Sequence, residues 1–418
     1  MHIVFVTAEL ASTNNATGGL GTFTANMASM FASNGHKVTI ILSTVKEDET
    51  EFDHDNITLI KLYVRKTIWD FWAKLAVICS FGKKDNKEIR AIFIDFYRSG
   101  QIRKEIRKIN KKNRIDIVHY CNLYSLALRA NKKIPYVIRI SGIGFVARAA
   151  NMPVCNINYE DNQLSKSEIV LHYTMKKARY IISPSNIIAD IERKRFGIEA
   201  TVIESPFLLQ TQNLDFDCLN HYGLKEKKYI IHYGGQLRFL KGTHVVAKLA
   251  RELLQKYPDL YIVLAGVCEN MQDEAGNVMK AHELVKQEAG EYADRVIYVG
   301  SIVREQLYPM IQNAELCLLP SRTENLANAC IEAMAMGRIV VATDGASYEQ
   351  LIDNGMNGFL CERDNPESFL RGIEAALTLN EEEKSLIESN AIETVKRLRP
   401  DNIYKQYLDF YEKVINEW

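Results

Sequence analysis

Two carboxylates, Glu324 and Glu332, stand in the stretch of this chain whose residue types could do the most chemistry, LLPSRTENLANACIEAMAMGRIVVATDGASYEQLIDNGMNGF over 318–359. The backbone amides of Asn325, Leu326, Ala327 and Asn328 lie between them. Ala329, Cys330, Ala333 and Met334 form an apolar stripe that predicts a short helix starting near Asn328, with Gly337 closing it. Amides at a helix N-terminus are unpaired and sit at the positive end of the dipole, so they bind anions. Carboxylates accept hydrogen bonds from hydroxyl groups. An anion site flanked by two carboxylates suits a ligand with both phosphate and many hydroxyls, such as a nucleotide-sugar.

The elements that must hold these groups are legible around them. The mostly apolar run 314–319 ends at Pro320-Ser321, a polar loop and the helix follow, and RIVVAT (338–343) returns as a strand. This is a βαβ unit. In that order the stretch resembles the retaining glycosyltransferases of family 4, the "glycosyl transferases group 1". Glu324 and Glu332 match the family's E-x7-E motif, and EAMAMG, Glu349 and Asn357-Gly358 follow in the family's order. The resemblance implies an α/β GT-B fold, two Rossmann-like domains with parallel sheets facing across a cleft. It implies that Glu332 holds ribose hydroxyls, that Glu324 orients the sugar, and that the amides of 325–328 add donors to the diphosphate.

Other segments extend the resemblance. The turn Gly234-Gly235-Gln236-Leu237-Arg238-Phe239-Leu240-Lys241-Gly242 stands where the family has G-R-L followed by K-G, with both cations on the diphosphate. Lys241-Gly242 matches, but Gln236 occupies the arginine position. Arg238, two residues on, could supply the charge if the turn is extended. A cation is needed there because the leaving group develops negative charge. Gly235 and Gln236 are implied donor contacts, and Gly266 and Ile302, at later strand ends, are implied to line the base pocket. Near the N-terminus, Gly18-Gly19-Leu20-Gly21 precedes a helix, where glycines let backbone approach a ligand. Gly18 and Gly19 are implied to lie near donor phosphate and acceptor. Asp116, Val118 and His119 match a D-x-V-H-x-H segment whose second histidine is Cys121 here. His119 is a catalytic candidate; Cys121, Asn122 and Gly142 are acceptor-side candidates.

A chain of 418 residues predicts two domains. We place an acceptor-binding domain at 1–205, a donor-binding domain at 206–400, and a terminal helix at 401–418 that crosses back to the first. A linker is expected near 205–220; its Asp215-Phe216-Asp217 is a literal D-x-D that we read as chance. Residues 1–205 hold 30 Lys+Arg against 20 Asp+Glu, and 206–418 hold 22 against 32, so the halves carry +10 and −10. Such asymmetry suggests different partners. The eight cysteines show no C-x-x-C spacing, the N-terminus reads as a strand rather than a signal peptide, and no apolar run approaches a membrane span. These features lead us to expect a cytoplasmic protein with reduced thiols.

Residues 61–114 are strongly basic, with 16 Lys+Arg against 5 Asp+Glu, and contain Trp69, Phe71 and Trp72 followed by the apolar patch 75–81. A long basic helix is expected over 88–112. Its pattern suits docking on the anionic inner face of a membrane, or a solvated helix with its apolar stripe in the core. No nucleic-acid motif accompanies the charge. Gly142-Ile143-Gly144-Phe145-Val146-Ala147 satisfies G-x-G-x-x-A, with Glu160 and Asp161 beyond, but RAANMPVCNINYED is broken by Asn and Pro. We expect no helix there and hence no NAD site.

The reading is thus a metal-independent retaining glycosyltransferase. A UDP- or GDP-sugar is the donor, a lipid-linked or cell-surface glycan precursor is the acceptor, and no cofactor is required. The alternatives are a GT-B epimerase or phosphorylase, and a non-catalytic nucleotide-sugar-binding subunit, which the departures at Gln236 and Cys121 leave open.

Overall fold

The strand β1 (His2–Thr7) is buried along its whole length, as an internal strand of a parallel sheet covered on both faces must be. It is described here, with the rest of the chain, from a computed structural model that covers residues 1–11, 18–45, 51–52, 56–79, 87–155, 157, 159, 162–207, 209 and 217–418. The remaining strands of its sheet are β2 (Lys37–Thr44), β3 (Ile57–Tyr63), β4 (Ile117–Cys121), β5 (Tyr136–Arg139), β6 (Ile181–Ser183) and β7 (Thr201–Val202), all parallel, in the order β3-β2-β1-β4-β5-β6-β7. The order reverses direction between β1 and β4, and ligands of open α/β sheets sit at such a switch point, beyond the carboxyl ends of the strands. Helices α1 (Gly19–Ser33), α2 (Lys66–Cys79), α3 (Lys87–Lys112), α4 (Gly144–Ala150), α5 (Lys166–Lys176) and α6 (Asn186–Phe196) connect these strands.

The second sheet is built the same way. Strands β8 (Lys228–Leu237), β9 (Leu260–Cys268), β12 (Val296–Gly300), β13 (Leu316–Leu319), β14 (Val340–Thr343) and β15 (Phe359–Cys361) are parallel in the order β12-β9-β8-β13-β14-β15. A small hairpin, β10 (Asn270–Gln272) with β11 (Val278–Lys280), follows β9. Helices α7 (Cys218–His221), α8 (Thr243–Lys256), α9 (Ala281–Ala289), α10 (Arg304–Asn313), α11 (Asn328–Ala335), α12 (Pro366–Leu377) and α13 (Glu381–Val395) complete the unit. Its switch point lies between β8 and β13. One compact unit therefore comprises Met1–Phe145, Tyr159–Pro206 and Pro400–Trp418, and the other Val146–Asn158 and Phe207–Arg399. Two parallel-sheet α/β units are the GT-B fold.

Several local expectations need correction. A helix does follow Gly142-Ile143: α4 spans Gly144–Ala150, because Ala147-Arg148-Ala149-Ala150 are strong helix formers, and it stops at Asn151. The segment 115–130 reads as a strand ending at His119 followed by a helix, but after β4 there is only a 3-10 turn, Leu123–Ser125, with Tyr124 at φ 54° and Ser125 at φ 47°, a left-handed backbone that no regular helix tolerates. The basic stretch begins inside β3, which pairs with β2 over seven positions and was not anticipated as a strand. The loop before α1, residues 12–17, together with Glu160, Asp161, Asp215, Phe216 and the 80–81 end of the apolar patch, lies outside the described residues.

Helix α14 (Pro400–Asn416) opens on proline, whose fixed φ and missing N–H suit the first helical position. It buries Ile403, Tyr407, Phe410, Tyr411 and Val414 within the first unit. Tyr411 stacks on Phe31 with ring centroids 5.4 Å apart, and its hydroxyl shares a 2.5 Å hydrogen bond with His119 Nδ1. Among the described residues no helix is long and apolar enough to cross a membrane.

The Tyr411–His119 bond generates a prediction. Tyr411→Phe leaves a buried ring nitrogen unpaired, so urea unfolding should show a loss of about 1–3 kcal/mol. Trp69, Trp72 and Trp418, the three tryptophans of the chain, all belong to this unit, so their fluorescence reports it. A change under about 0.5 kcal/mol would mean that the bond does not hold α14 in place.

Candidate functional site

In the second unit the site begins where β8 leaves its sheet. The register with β9 shifts between Tyr233 and Gln236, and Gly235 carries φ +87°. A 3-10 turn, Phe239–Lys241, follows, and Gly242 at φ +74° starts α8. A Cβ on Gly242 would fall 1.9 Å from the carbonyl oxygen of Pro320. The turn after β8 and the loop after β13 are therefore in backbone contact that only glycine permits. The Arg322 N–H adds a hydrogen bond to the Leu240 carbonyl at 2.9 Å. His232 braces the same junction from beneath: Nδ1 lies 2.9 Å from the Leu318 carbonyl and Nε2 lies 3.0 Å from Thr243 Oγ1.

This contact sets Lys241 Nζ 2.6 Å from Glu324 Oε1, with side chains 18% and 15% exposed. The Glu324 N–H donates to the Ala346 carbonyl at 3.1 Å, and Ser347 Oγ donates to the Asn325 carbonyl at 2.8 Å. Tyr233 donates its hydroxyl to the Ala329 carbonyl at 2.6 Å, fixing the first turn of α11. Helix α11 starts at Asn328 without a side-chain cap, so its first amides lack intrahelical partners. Leu326 and Ala327 are buried beneath that loop.

Glu332 points from α11 toward α10. Its Oε1 lies 3.2 Å from Arg304 Nε and accepts from the Tyr308 hydroxyl at 3.4 Å. Burial pushes its carboxyl above the usual range, while Arg304 and Tyr308 act against that. The backbone at Arg238 is extended (φ −164°), the condition for sharing a face with Gln236. Its guanidinium is held by Glu269 at 3.4 Å, on the side of β9. Gly266, at the end of β9, accepts from the Tyr298 hydroxyl at 3.0 Å, and Ile302 is half-buried after β12.

Sequence reasoning missed Arg322, His244 and Asp364. Arg322 is 2% exposed, and its Nε donates to Asp364 Oδ1 at 2.7 Å, an atom His244 Nε2 also approaches at 2.7 Å. Burial pushes the Asp364 carboxyl up, but hydrogen bonds from His244 and Arg322 outweigh it and hold it at about 2. The other guanidinium nitrogens of Arg322 donate to the carbonyls of Ala150, Met152 and Pro153. They thereby fasten the 146–158 segment within this unit, where Asn151 Oδ1 accepts from the Leu240 N–H at 3.3 Å. No spacing rule links an arginine to an acid 42 residues later. The signal available was position alone, since Arg322 stands two residues before Glu324.

The first unit carries the other predicted residues. Gly18 is the N-cap of α1 and Gly19 its first residue. Glu9 Oε2 lies 3.6 Å from where a Gly18 Cβ would sit. His119, 3% exposed, is enclosed by Phe5 and Phe23 at ring separations of 5.3 and 5.8 Å. Burial, with Arg139 adding to it, holds its pKa at about 3, so the imidazole is neutral. Cys121 is buried and its thiol is pushed up by burial, which makes it no nucleophile at neutral pH. Asn122 is 3% exposed; its Oδ1 accepts from the Ser141 N–H at 2.7 Å and its Nδ2 donates to the Gly142 carbonyl at 3.1 Å. That amide clamps β4 to the end of β5, so the expected acceptor contact at Asn122 is occupied by backbone.

Comparison with known proteins identifies the family. Residues 219–393 match the family described as glycosyl transferases group 1, and residues 17–206 match Glycosyltransferase Family 4. The chain is 21% identical to spore coat protein SA of Bacillus subtilis over 318 residues, 72% of this chain and 80% of that one. Other curated relatives are matched over about half of their own length. Among solved structures it is similar to sucrose-phosphate synthase from Thermosynechococcus elongatus, with a TM-score of 0.71 and 16% identity over 100% of both chains. It is also similar to Anabaena HepE in complex with UDP and glucose, with a TM-score of 0.68 and 15% identity over 99% of this chain and 100% of that one.

The Gly242–Pro320 contact is testable against a second glycine. Gly235→Ala meets nothing within 4 Å and should cost only backbone strain, about 1–3 kcal/mol. Gly242→Ala adds a backbone clash and should cost clearly more in urea unfolding followed by circular dichroism. Equal costs would show that the two loops are not pressed together.

Proposed function

The chain belongs to family 4 of the glycosyltransferases, the glycosyl transferases group 1, and from that premise we propose that it moves a sugar from a UDP-sugar to an acceptor hydroxyl with retention at the anomeric carbon. The observation that carries this reading is the Lys241–Glu324 pair, 2.6 Å apart beside the N-terminus of α11. A lysine whose side chain is 18% exposed is a strong partner for a diphosphate, because the low dielectric around it strengthens its field. Glu324 keeps that ammonium in place before the donor arrives, then turns to hydroxyls of the sugar as the diphosphate takes over the lysine. The amides at the start of α11 add donors for phosphate oxygens, and Glu332 accepts from ribose hydroxyls. In the transfer the bond from the anomeric carbon to the phosphate oxygen breaks and the bond to the acceptor oxygen forms on the same face. The acceptor's proton passes to the departing phosphate oxygen. Charge relief is assigned to Lys241 and the amides, without a metal. Uridine is favoured over guanosine because the similar HepE structure holds UDP and glucose.

The acceptor we propose is a lipid-linked glycan reached at an anionic membrane surface. Residues 61–114 carry a net +11. Helix α2 exposes Phe71 (57%) and Ile78 (72%) beside Lys74. The tryptophans are turned to α3 instead: Arg90 lies over Trp69 at 5.0 Å, and Trp72 packs on Phe93 at 5.3 Å. The projecting groups that would enter a headgroup layer are thus Phe71, Val77 and Ile78.

Three measurements check these statements. In a thermal-shift screen UDP should stabilise the protein more than GDP or ADP at equal concentration, and Glu332→Gln should weaken the UDP affinity by roughly 1.5–3 kcal/mol; unchanged affinity would remove Glu332 from the ribose. Lys241→Ala should lower turnover of the UDP-sugar by about 10²–10³, and a tenfold or smaller loss would move charge relief elsewhere. Sedimentation with vesicles should require anionic lipid, weaken as salt rises, and fail for Phe71→Ser/Ile78→Ser with the fold intact. Equal binding to neutral vesicles would remove the basic stretch as the anchor, and no binding to anionic vesicles at low salt would leave it as a solvated face or a site for a soluble acceptor.

A further inference from the structure

A small cavity lies in the first unit among α1, β1, β4 and β5. Three buried polar atoms without hydrogen-bond partners belong to side chains that line it: Arg139 Nε, His119 Nε2 and Ser141 Oγ. Arg139 is 4% exposed and His119 3%. The Arg139 guanidinium lies 3.6 Å from the Phe23 ring centroid and donates to Ser205 Oγ at 2.8 Å. Among the described residues no carboxylate pairs with it, and no acid lines the cavity. A buried cation without an anion costs several kcal/mol, and every unmade hydrogen bond beside it adds to that cost.

The donor count decides what would settle there. Arginine has no acceptor atom. If Tyr411 donates to His119 Nδ1, the imidazole must carry its proton on Nε2, which then faces the cavity as a donor. The Ser141 hydroxyl can rotate to donate as well. The other hydroxyls of the lining are committed, Thr24 Oγ1 to the Leu20 carbonyl and Thr7 Oγ1 to the Glu9 carbonyl. Three donors and a full positive charge in one lining call for a negatively charged group that only accepts hydrogen bonds. The cavity, about 10 Å³, suits one small particle rather than a polyatomic anion such as phosphate or sulfate.

We propose that this cavity is a binding site for a single monoatomic anion, a halide, held by Arg139 Nε, His119 Nε2 and Ser141 Oγ. The ion balances the buried charge of Arg139. It also stabilises the seat of α14, because Tyr411 is bonded to the same imidazole that faces the ion.

The test uses the full chain at fixed pH and ionic strength, with chloride or bromide replacing gluconate. Tryptophan fluorescence follows the first unit alone, since all three tryptophans lie in it. The unfolding temperature of the wild type should rise saturably, by about 2–4 °C. Arg139→Met should abolish the response. Ser141→Ala, which removes one hydroxyl and keeps the fold, should shift the midpoint to several-fold higher halide. A bromide-soaked crystal should show an anomalous peak in the cavity. No halide response in the wild type, an undiminished response in both variants, or a cavity holding only water after the bromide soak would overturn the proposal.

Discussion

The approach of Gly242 to Pro320 is the constraint on which the second unit's chemistry depends. With 1.9 Å between a hypothetical Cβ and the proline oxygen, no other residue fits without moving a loop. Because the turn after β8 and the loop after β13 touch there, a lysine from one strand end meets a glutamate from another. Neither residue could find the other by local preference. The parallel order β8-β13 brings the strand ends together, and His232 and Arg322 hold the two loops at the right depth. The site is thus built on rigid elements, the arrangement that keeps reacting groups within a fraction of an ångström.

The two units handle charge in opposite ways. In the second, the cations described at the site each face an acid: Lys241 with Glu324, Arg238 with Glu269, Arg304 with Glu332, Arg322 with Asp364. The partly exposed pairs, Lys241–Glu324 and Arg238–Glu269, cost less to form than a fully buried one, whereas Arg322, 2% exposed, is locked onto Asp364. In the first unit Arg139 and Arg98 are both nearly fully buried, yet Arg98 has Asp95 at 3.9 Å while Arg139 has only hydroxyls and a ring. Asp95 itself is pushed up to about 7, so even that pairing is weak. The overall +10 and −10 of the two halves are therefore matched by a local difference in how cations are satisfied.

Much of this was legible in the residues, and the reasons for the remainder are physical. The helix at Asn328, its closing Gly337 at φ +67°, and the long basic helix were readable because caps and periodicity are local signals. Lys241 and Glu324 lie 2.6 Å apart, a contact that family order alone did not specify. Strands of three residues such as β15 carry too few positions for alternation to show. The helix α4 was hidden because Asn and Pro just beyond it were weighed more heavily than four good helix formers within it. Asn122 looked available for a ligand from its place at a strand end. Only the pairing of β4 with β5 reveals that its amide is used on both sides by backbone. The role of Arg322 depends on partners at 150–153 and 364, which no window of sequence contains.

Glu332 shows why a buried acid can serve a ligand that comes and goes. Glu332 is 6% exposed, and burial by itself would favour the protonated form. Arg304 opposes this from a side chain that is 46% exposed. A fully buried arginine would lock the carboxylate, since separating a desolvated pair strands two charges. A half-exposed one can withdraw into water at small cost and regain hydration as it goes. Arg304 thereby counters the upward push of burial on the carboxyl, and in the proposed reading it can release the acid when vicinal hydroxyls arrive to donate to it. Tyr308, whose hydroxyl lies 3.4 Å away, remains as the fixed donor that keeps the acid oriented throughout. Burial supplies the strength of the new hydrogen bonds, and the mobile arginine supplies the reversibility.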